Sequence, residues 1–237
     1  MIVQACLNGS RTIGFHQRLP LTSEDIANEG ASCIAAGAGE LHLQPRGASG
    51  KESLAAIDAT VLSLRRACPG TLIGVSTGAW IESDEVHTRD CIAQWNELPD
   101  YASVNLSEDD APAIIELLGR RGIGVEAGLA SVADAERLVK LPAHRPVLRI
   151  LIEIEERDLG VARQVAANIT AVLDRAGLRR PILLHGVDAT VWPFVELARQ
   201  RCWSTRVGLE DGKHLADGTI ASDNAALVTA ALAIFHA

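Results

Sequence analysis

The sequence has no cluster of basic residues. Its 22 lysines and arginines are scattered among 30 aspartates and glutamates, for a formal net charge of -8, whereas phosphate backbones are bound by clustered Lys and Arg. A nucleic-acid partner is therefore not expected. No two cysteines are spaced as CxxC. The five (Cys6, Cys33, Cys68, Cys91 and Cys202) are an odd number spread along the chain, which speaks against a zinc ribbon and a disulfide framework and fits a reducing compartment. No apolar run reaches the ~20 residues that a membrane helix needs. The start, "MIVQACLNGS", lacks the charged opening and long apolar core of a signal peptide. These absences lead to the expectation of a soluble, cytoplasmic protein with no membrane partner. Glycine loops of the order GxGxxG, or GxxxxGK followed by Ser or Thr, are also missing, so nucleotide binding through them has no support.

What the sequence does have is apolar material in a regular rhythm. Hydrophobic residues make up 48% of 237, ample for a large core. Short runs rich in Val, Ile and Leu alternate with longer Ala-rich stretches whose apolar residues recur every three or four positions. The strand candidates are IVQACLN (2–8), GELHLQPR (39–46), TLIGVSTG (71–78), YASVNLS (101–107), IGVEAG (123–128), VLRILIEI (147–154), PILLHGV (181–187) and TRVGLED (205–211). Helical candidates lie between them. In "TSEDIANEGASCIAAG", Thr22 or Ser23 can cap while Glu24 and Asp25 complement the positive end of the helix dipole. The last, "DNAALVTAALAIF", follows the eighth strand. Eight βα units without a linker or composition break predict a single (β/α)8 barrel domain over residues 1–237, with a doubly wound sheet as the rival arrangement.

In a barrel the chemistry sits at the C-terminal ends of the strands. Period-two alternation puts Glu40, His42, Gln44 and Arg46 on one face of the second strand, opposite Leu41 and Leu43. On the eighth it puts Arg206, Gly208 and Glu210 together, with Asp211 opening the loop. An arginine, a metal-capable carboxylate and a potential base therefore converge, although an interior Arg–Glu ion pair would give the same pattern. Other strand ends supply Ser76, Asn105, Glu126, Glu153 and His185. Glu126 is read as orienting substrate; His185 is equally a substrate contact or a loop-bonded residue. His16, His87, His144 and His214 fall in loops or on helices and are read as solvated, and each cysteine as a small buried hydrophobe.

Together "GELHLQPRGASG", "RVGLED" and "DGTIASDNAALV" resemble stretches of the β-keto acid cleavage enzymes, also called the 3-keto-5-aminohexanoate cleavage protein family. "LPLTSEDIANEGASCIAAGAG" and "LPDYASVNLSE" fit in order and spacing. The resemblance implies a zinc-dependent barrel that reacts a β-keto acid with acetyl-CoA in a Claisen-type exchange, giving acetoacetate and a new acyl-CoA. It implies metal ligands at His42, Gln44 and Glu210, an acid–base pair of Arg206 and Asp211, and a pocket lined by Ser76 and Asn105. Gln44 stands where the family pattern has a second histidine, and Gly47 where an acidic residue commonly follows the arginine. An amide oxygen is a harder, weaker zinc ligand than imidazole. The consequences open at this point are weaker zinc, another divalent cation, recruitment of Glu40, or loss of the metal. The alternative functions are a metal-independent barrel aldolase or lyase, and a non-catalytic ligand-binding relative. A homo-oligomer is expected, since helix-rich barrels often pair through their outer faces.

Overall fold

The computed structural model describes residues 1–142 and 147–236. Eight parallel strands close into a barrel: β1 (Val3–Cys6), β2 (Glu40–Leu43), β3 (Leu72–Ser76), β4 (Tyr101–Asn105), β5 (Gly124–Leu129), β6 (Val147–Ile154), β7 (Ile182–Gly186) and β8 (Ser204–Val207). Each pairs with its sequence neighbours, and β8 pairs with β1 at Val3–Thr205, Gln4–Arg206 and Ala5–Val207. The doubly wound alternative is thereby set aside. The helices α1 (Ser23–Ala35), α2 (Ile57–Ala67), α3 (Glu85–Gln94), α4 (Ala111–Arg120), α5 (Val132–Lys140), α6 (Leu159–Arg175), α7 (Val191–Gln200) and α8 (Asn224–Phe235) follow the strands in turn. None among the described residues is long and apolar enough to cross a membrane.

Local chemistry accounts for these boundaries. Thr22 caps α1 in a capping box with Asp25, as the Thr-x-x-Asp spacing allows. Ser131 and Asp134 do the same for α5. In α4 the buried residues Ala111, Ile114, Ile115 and Leu118 recur at three- and four-residue spacing, so one stripe faces the barrel. Both faces of a barrel strand are covered, one by helices and one by the interior, so β1 and β2 are buried at every position. Their alternation thus separates apolar residues toward the helices from polar residues toward the barrel axis.

The interior carries charge in its lower layer. Arg149 of β6 donates from Nε to Glu126 Oε1 at 2.5 Å and pairs with Glu40 through Nη2. Gln4 Nε2 donates to Glu40 Oε1 (2.7 Å) and to the Tyr101 hydroxyl (2.9 Å). The Tyr101 ring takes the space beside Gly74, where a Cβ would lie 2.0 Å from it. Glu126, expected to orient substrate, faces Arg149 and does not line the cavity at the strand ends. It is the third residue of a six-residue strand, beside Arg149 in register, and its fully buried side chain completes an ion-pair layer. Glu40 belongs to the same layer, where its Oε1 accepts from Gln4, Tyr101 and Arg149.

The eighth strand ends earlier than the sequence pattern suggests. Pairing stops at Val207, and Asp211 N and Gly212 N both donate to the Gly208 carbonyl in a tight turn (3.0 and 3.1 Å). Gly208 allows that turn to lie against β1: a Cβ there would be 1.8 Å from the Cys6 carbonyl oxygen. Backbone cannot yield as a side chain does, so Gly208→Ala is expected to cost about 3 kcal/mol. A denaturant midpoint unchanged in that variant would contradict this close approach.

Candidate active site at the barrel mouth

A cavity of about 310 Å³ opens at the C-terminal ends of the strands. Seven of the eight residues expected at the site line it: His42, Gln44, Ser76, Asn105, Arg206, Glu210 and Asp211; Glu126 does not. His42 projects from β2, one alternation above Glu40. Gln44 lies just past the strand, where Asn8 extends the pairing with its side chain: Asn8 Oδ1 accepts from Gln44 N, and Asn8 Nδ2 donates to Gln44 O, each at 2.9 Å. Arg46, expected on the same face, instead turns away from the cavity. Its guanidinium donates to the carbonyls of Gly9 and Arg11 and so pins the β1–α1 loop.

The turn after β8 assembles the acidic half. Arg206, 2% exposed, donates from Nη2 to Glu210 Oε1 at 2.7 Å and lies 3.5 Å from Asp211 Oδ1. Glu210 thus meets Arg206 through a four-residue turn and not through strand alternation. Gly9, with φ of 54°, leaves the room: a Cβ there would lie 2.3 Å from Glu210 Cγ. Asp211 has two further partners. Cys6 Sγ donates to its Oδ2 at 2.7 Å, and His185 Nδ1 stands 3.3 Å from its Oδ1. On the other side of the ring, His185 Nε2 is 3.5 Å from Glu153 Oε2.

Electrostatics divides these groups. Burial alone would neutralise His185, and Arg206 opposes its charge too, yet Asp211 and Glu153 prevail and raise its pKa to about 9. Glu153 would be pushed up by burial but is held at about 2 by His185 and Arg206. Burial also works against ionised Asp211, but His185 and Arg206 keep it below the usual carboxylate range. Glu210 is pushed up by burial, with Asp211 and Glu153 adding to the effect against Arg206, to about 7. His42 lies well below its ordinary value through burial and the field of Arg206, so its imidazole is neutral.

Among the buried atoms here without a hydrogen-bonding partner are three that could bind a metal: His42 Nδ1, Gln44 Oε1 and Glu210 Oε2. Buried polar atoms are ordinarily satisfied. A neutral imidazole, an amide oxygen and a carboxylate oxygen left over at one cavity constitute a donor set for a divalent cation.

Residues 1–115 match the beta-keto acid cleavage enzyme family. The resemblance read from "GELHLQPRGASG" is thereby borne out. The matched span holds the first four strands and, with them, His42, Gln44, Ser76 and Asn105. Arg206, Glu210 and Asp211 lie beyond it and come beside the matched strands because β8 closes onto β1. No curated protein sequence matches the chain. Among solved structures, it is similar to the apo structure of ObcA, at 17% identity with a TM-score of 0.71, covering 90% of this chain and 60% of that one. The binary complex of ObcA with oxaloacetate gives the same identity, score and coverage of this chain, and 62% of that chain. A 3-dehydroquinate dehydratase from Geobacillus kaustophilus HTA426 aligns over 100% of this chain and 92% of its own, at 11% identity and a TM-score of 0.62. These likenesses show the barrel fold. The chain spans about 60% of the length of the ObcA chain.

Sequence reasoning left Cys6 and Glu153 without a role at the site and His185 undecided between a substrate contact or proton shuttle and a loop-bonded residue. Cys6 alternates with Gln4 on β1 and with Asn8 just past it, which could have marked it as inward-facing. Glu153 and His185 are register neighbours on β6 and β7, a relation visible only once the barrel is closed. His16, read as solvated, is instead buried and bonded to the Ala221 carbonyl (2.9 Å). Cys202, read as buried, is exposed, while the other four cysteines are buried. His144 lies outside the described residues.

Proposed function

We propose that the chain is a β-keto acid cleavage enzyme that works with a divalent cation and acetyl-CoA. Cleavage of R–CO–CH2–COO⁻ would transfer its acyl group to CoA while the acetyl group joins the released CH2–COO⁻ unit, giving acetoacetate and a new acyl-CoA. The observation that carries this reading is the buried Arg206 between Glu210 and Asp211, facing three unpartnered metal-capable atoms in one cavity. ObcA, whose barrel this chain resembles, is described in a complex with oxaloacetate, a β-keto acid, and in one with a C4-CoA adduct and oxalate.

His42, Gln44 and Glu210, each with a buried unpartnered donor atom, would hold the cation. When bound, it supplies Lewis acidity at the keto oxygen. The chain's own residues do the rest. Asp211 takes the proton from the carbon between keto group and carboxylate. Cys6 and His185 hold its two oxygens in position, and Arg206 stabilises the negative charge that develops nearby. Ser76 and Asn105, on the adjacent ends of β3 and β4, orient the polar groups of the substrate. Glu126, bound to Arg149 in the ion-pair layer, takes no part.

The test is metal removal and return. Chelator-stripped protein should lose acetyl-CoA-dependent cleavage and regain it with zinc or another divalent ion. Full activity in demonstrably metal-free protein would sink the metal-dependent reading. Gln44→His should bind the ion at least about tenfold more tightly, because exchanging a direct ligand is no smaller a change than the second-shell losses of about 10–100-fold seen at metal sites. Equal affinity for the two proteins would mean that Gln44 is not a ligand.

A further inference from the structure

A second group of metal-capable side chains lies outside the barrel mouth, on the β3–α3 loop and the start of α3. His87 and Cys91 are one turn apart on α3, and Glu82 precedes the helix. Their ligand atoms all lie within 4.8 Å of one another. His87 Nε2 stands 3.5 Å from Glu82 Oε2 and 3.8 Å from Cys91 Sγ. Glu82 is held by its other oxygen, Oε1, which accepts from Leu54 N at 2.7 Å. Asp84, not Glu82, caps the helix, accepting from His87 N. The mouth reaction uses none of these three groups.

We propose that Glu82, His87 and Cys91 form a three-ligand site for zinc or a similar borderline-soft divalent ion. Bonds of about 2.0 Å to nitrogen and oxygen and about 2.3 Å to sulfur, at tetrahedral angles, place nitrogen about 3.3 Å from oxygen and about 3.5 Å from sulfur. The observed separations from His87 to Glu82 and to Cys91 are about 0.2 and about 0.3 Å wider than these, within reach of small side-chain rotations. Thiolate with imidazole selects zinc or cobalt over magnesium or calcium, which favour all-oxygen sites. Solvent reaches the cluster at His87, whose side chain is 54% exposed, whereas Cys91 is buried. Because Glu82 also bonds Leu54, a bound ion ties the start of α3 to the segment leading into α2.

Cobalt titration distinguishes this site from the barrel mouth, whose donors at His42, Gln44 and Glu210 include no sulfur. Metal-stripped protein titrated with Co²⁺ should develop a near-ultraviolet thiolate-to-cobalt charge-transfer band. That band should be lost in Cys91→Ser and in His87→Ala, and kept in Cys6→Ser. Folding of each variant is checked by circular dichroism, and the exposed position of His87 makes His87→Ala the safer of the two. A folded wild type that gives no thiolate band at saturating cobalt, or a band that survives in Cys91→Ser or His87→Ala, overturns the assignment.

Discussion

Asp211→Asn is expected to abolish acetyl-CoA-dependent cleavage while leaving the barrel folded. Asparagine keeps the shape of the side chain and one oxygen for Cys6 or His185, so the packing of this 1%-exposed position survives. It cannot accept the substrate proton. Removing a positioned general base costs ~10²–10⁴-fold, and loss of its charge also takes away part of what keeps His185 protonated. Turnover measured with acetyl-CoA, beside a circular dichroism spectrum, separates these effects. Retention of the full rate in a folded Asp211→Asn variant would place the base elsewhere.

Arg149→Met should be the most destabilising of the substitutions considered. Arg149 is the only cation bonded to Glu40 and Glu126 among the described residues, inside the barrel, with its guanidinium 4.7 Å from the Tyr101 ring centroid. Methionine fills much of the volume but leaves two carboxylates facing each other without a counter-charge. Breaking a buried pair by removing one partner costs about 3–5 kcal/mol, which lowers the melting temperature by on the order of 10 °C for a domain of this size. Adding Glu126→Gln to Arg149→Met should recover part of the loss, because the second buried charge is then gone. Calorimetry showing the same melting temperature for Arg149→Met and the native protein would refute the ion-pair layer.

These two substitutions mark what the sequence could and could not convey. Strand number and order were legible because each βα unit carries its own apolar rhythm and several carry their own cap, as Thr22 and Ser131 illustrate. The members of the mouth were legible because alternation fixes which β2 side chains share the interior. Height along the barrel axis was not. Glu126 and His42 look alike in sequence, each a polar residue within an apolar strand, yet one lies among the ion pairs below and the other at the cavity. Their difference depends on how far β5 continues past Glu126, and a chain read strand by strand does not reveal that. Glu210 reached its expected neighbour by an unexpected route, since Gly208 ends the strand and a turn replaces the alternation. The Cys6–Asp211 contact joins residues 205 positions apart and arises only from closure of β8 onto β1.

The most direct measurement of the proposed chemistry follows isotope through the reaction. The protein, loaded with zinc, is incubated with an unlabelled β-keto acid and acetyl-CoA labelled in its acetyl group, and the products are resolved by mass spectrometry across a panel of β-keto acids. A Claisen-type exchange at the barrel mouth predicts acetoacetate labelled in its methyl ketone half and an unlabelled new acyl-CoA, with both absent in Asp211→Asn. Cleavage that proceeds without acetyl-CoA, label that stays in acetyl-CoA, or no reaction with any member of the panel would contradict it.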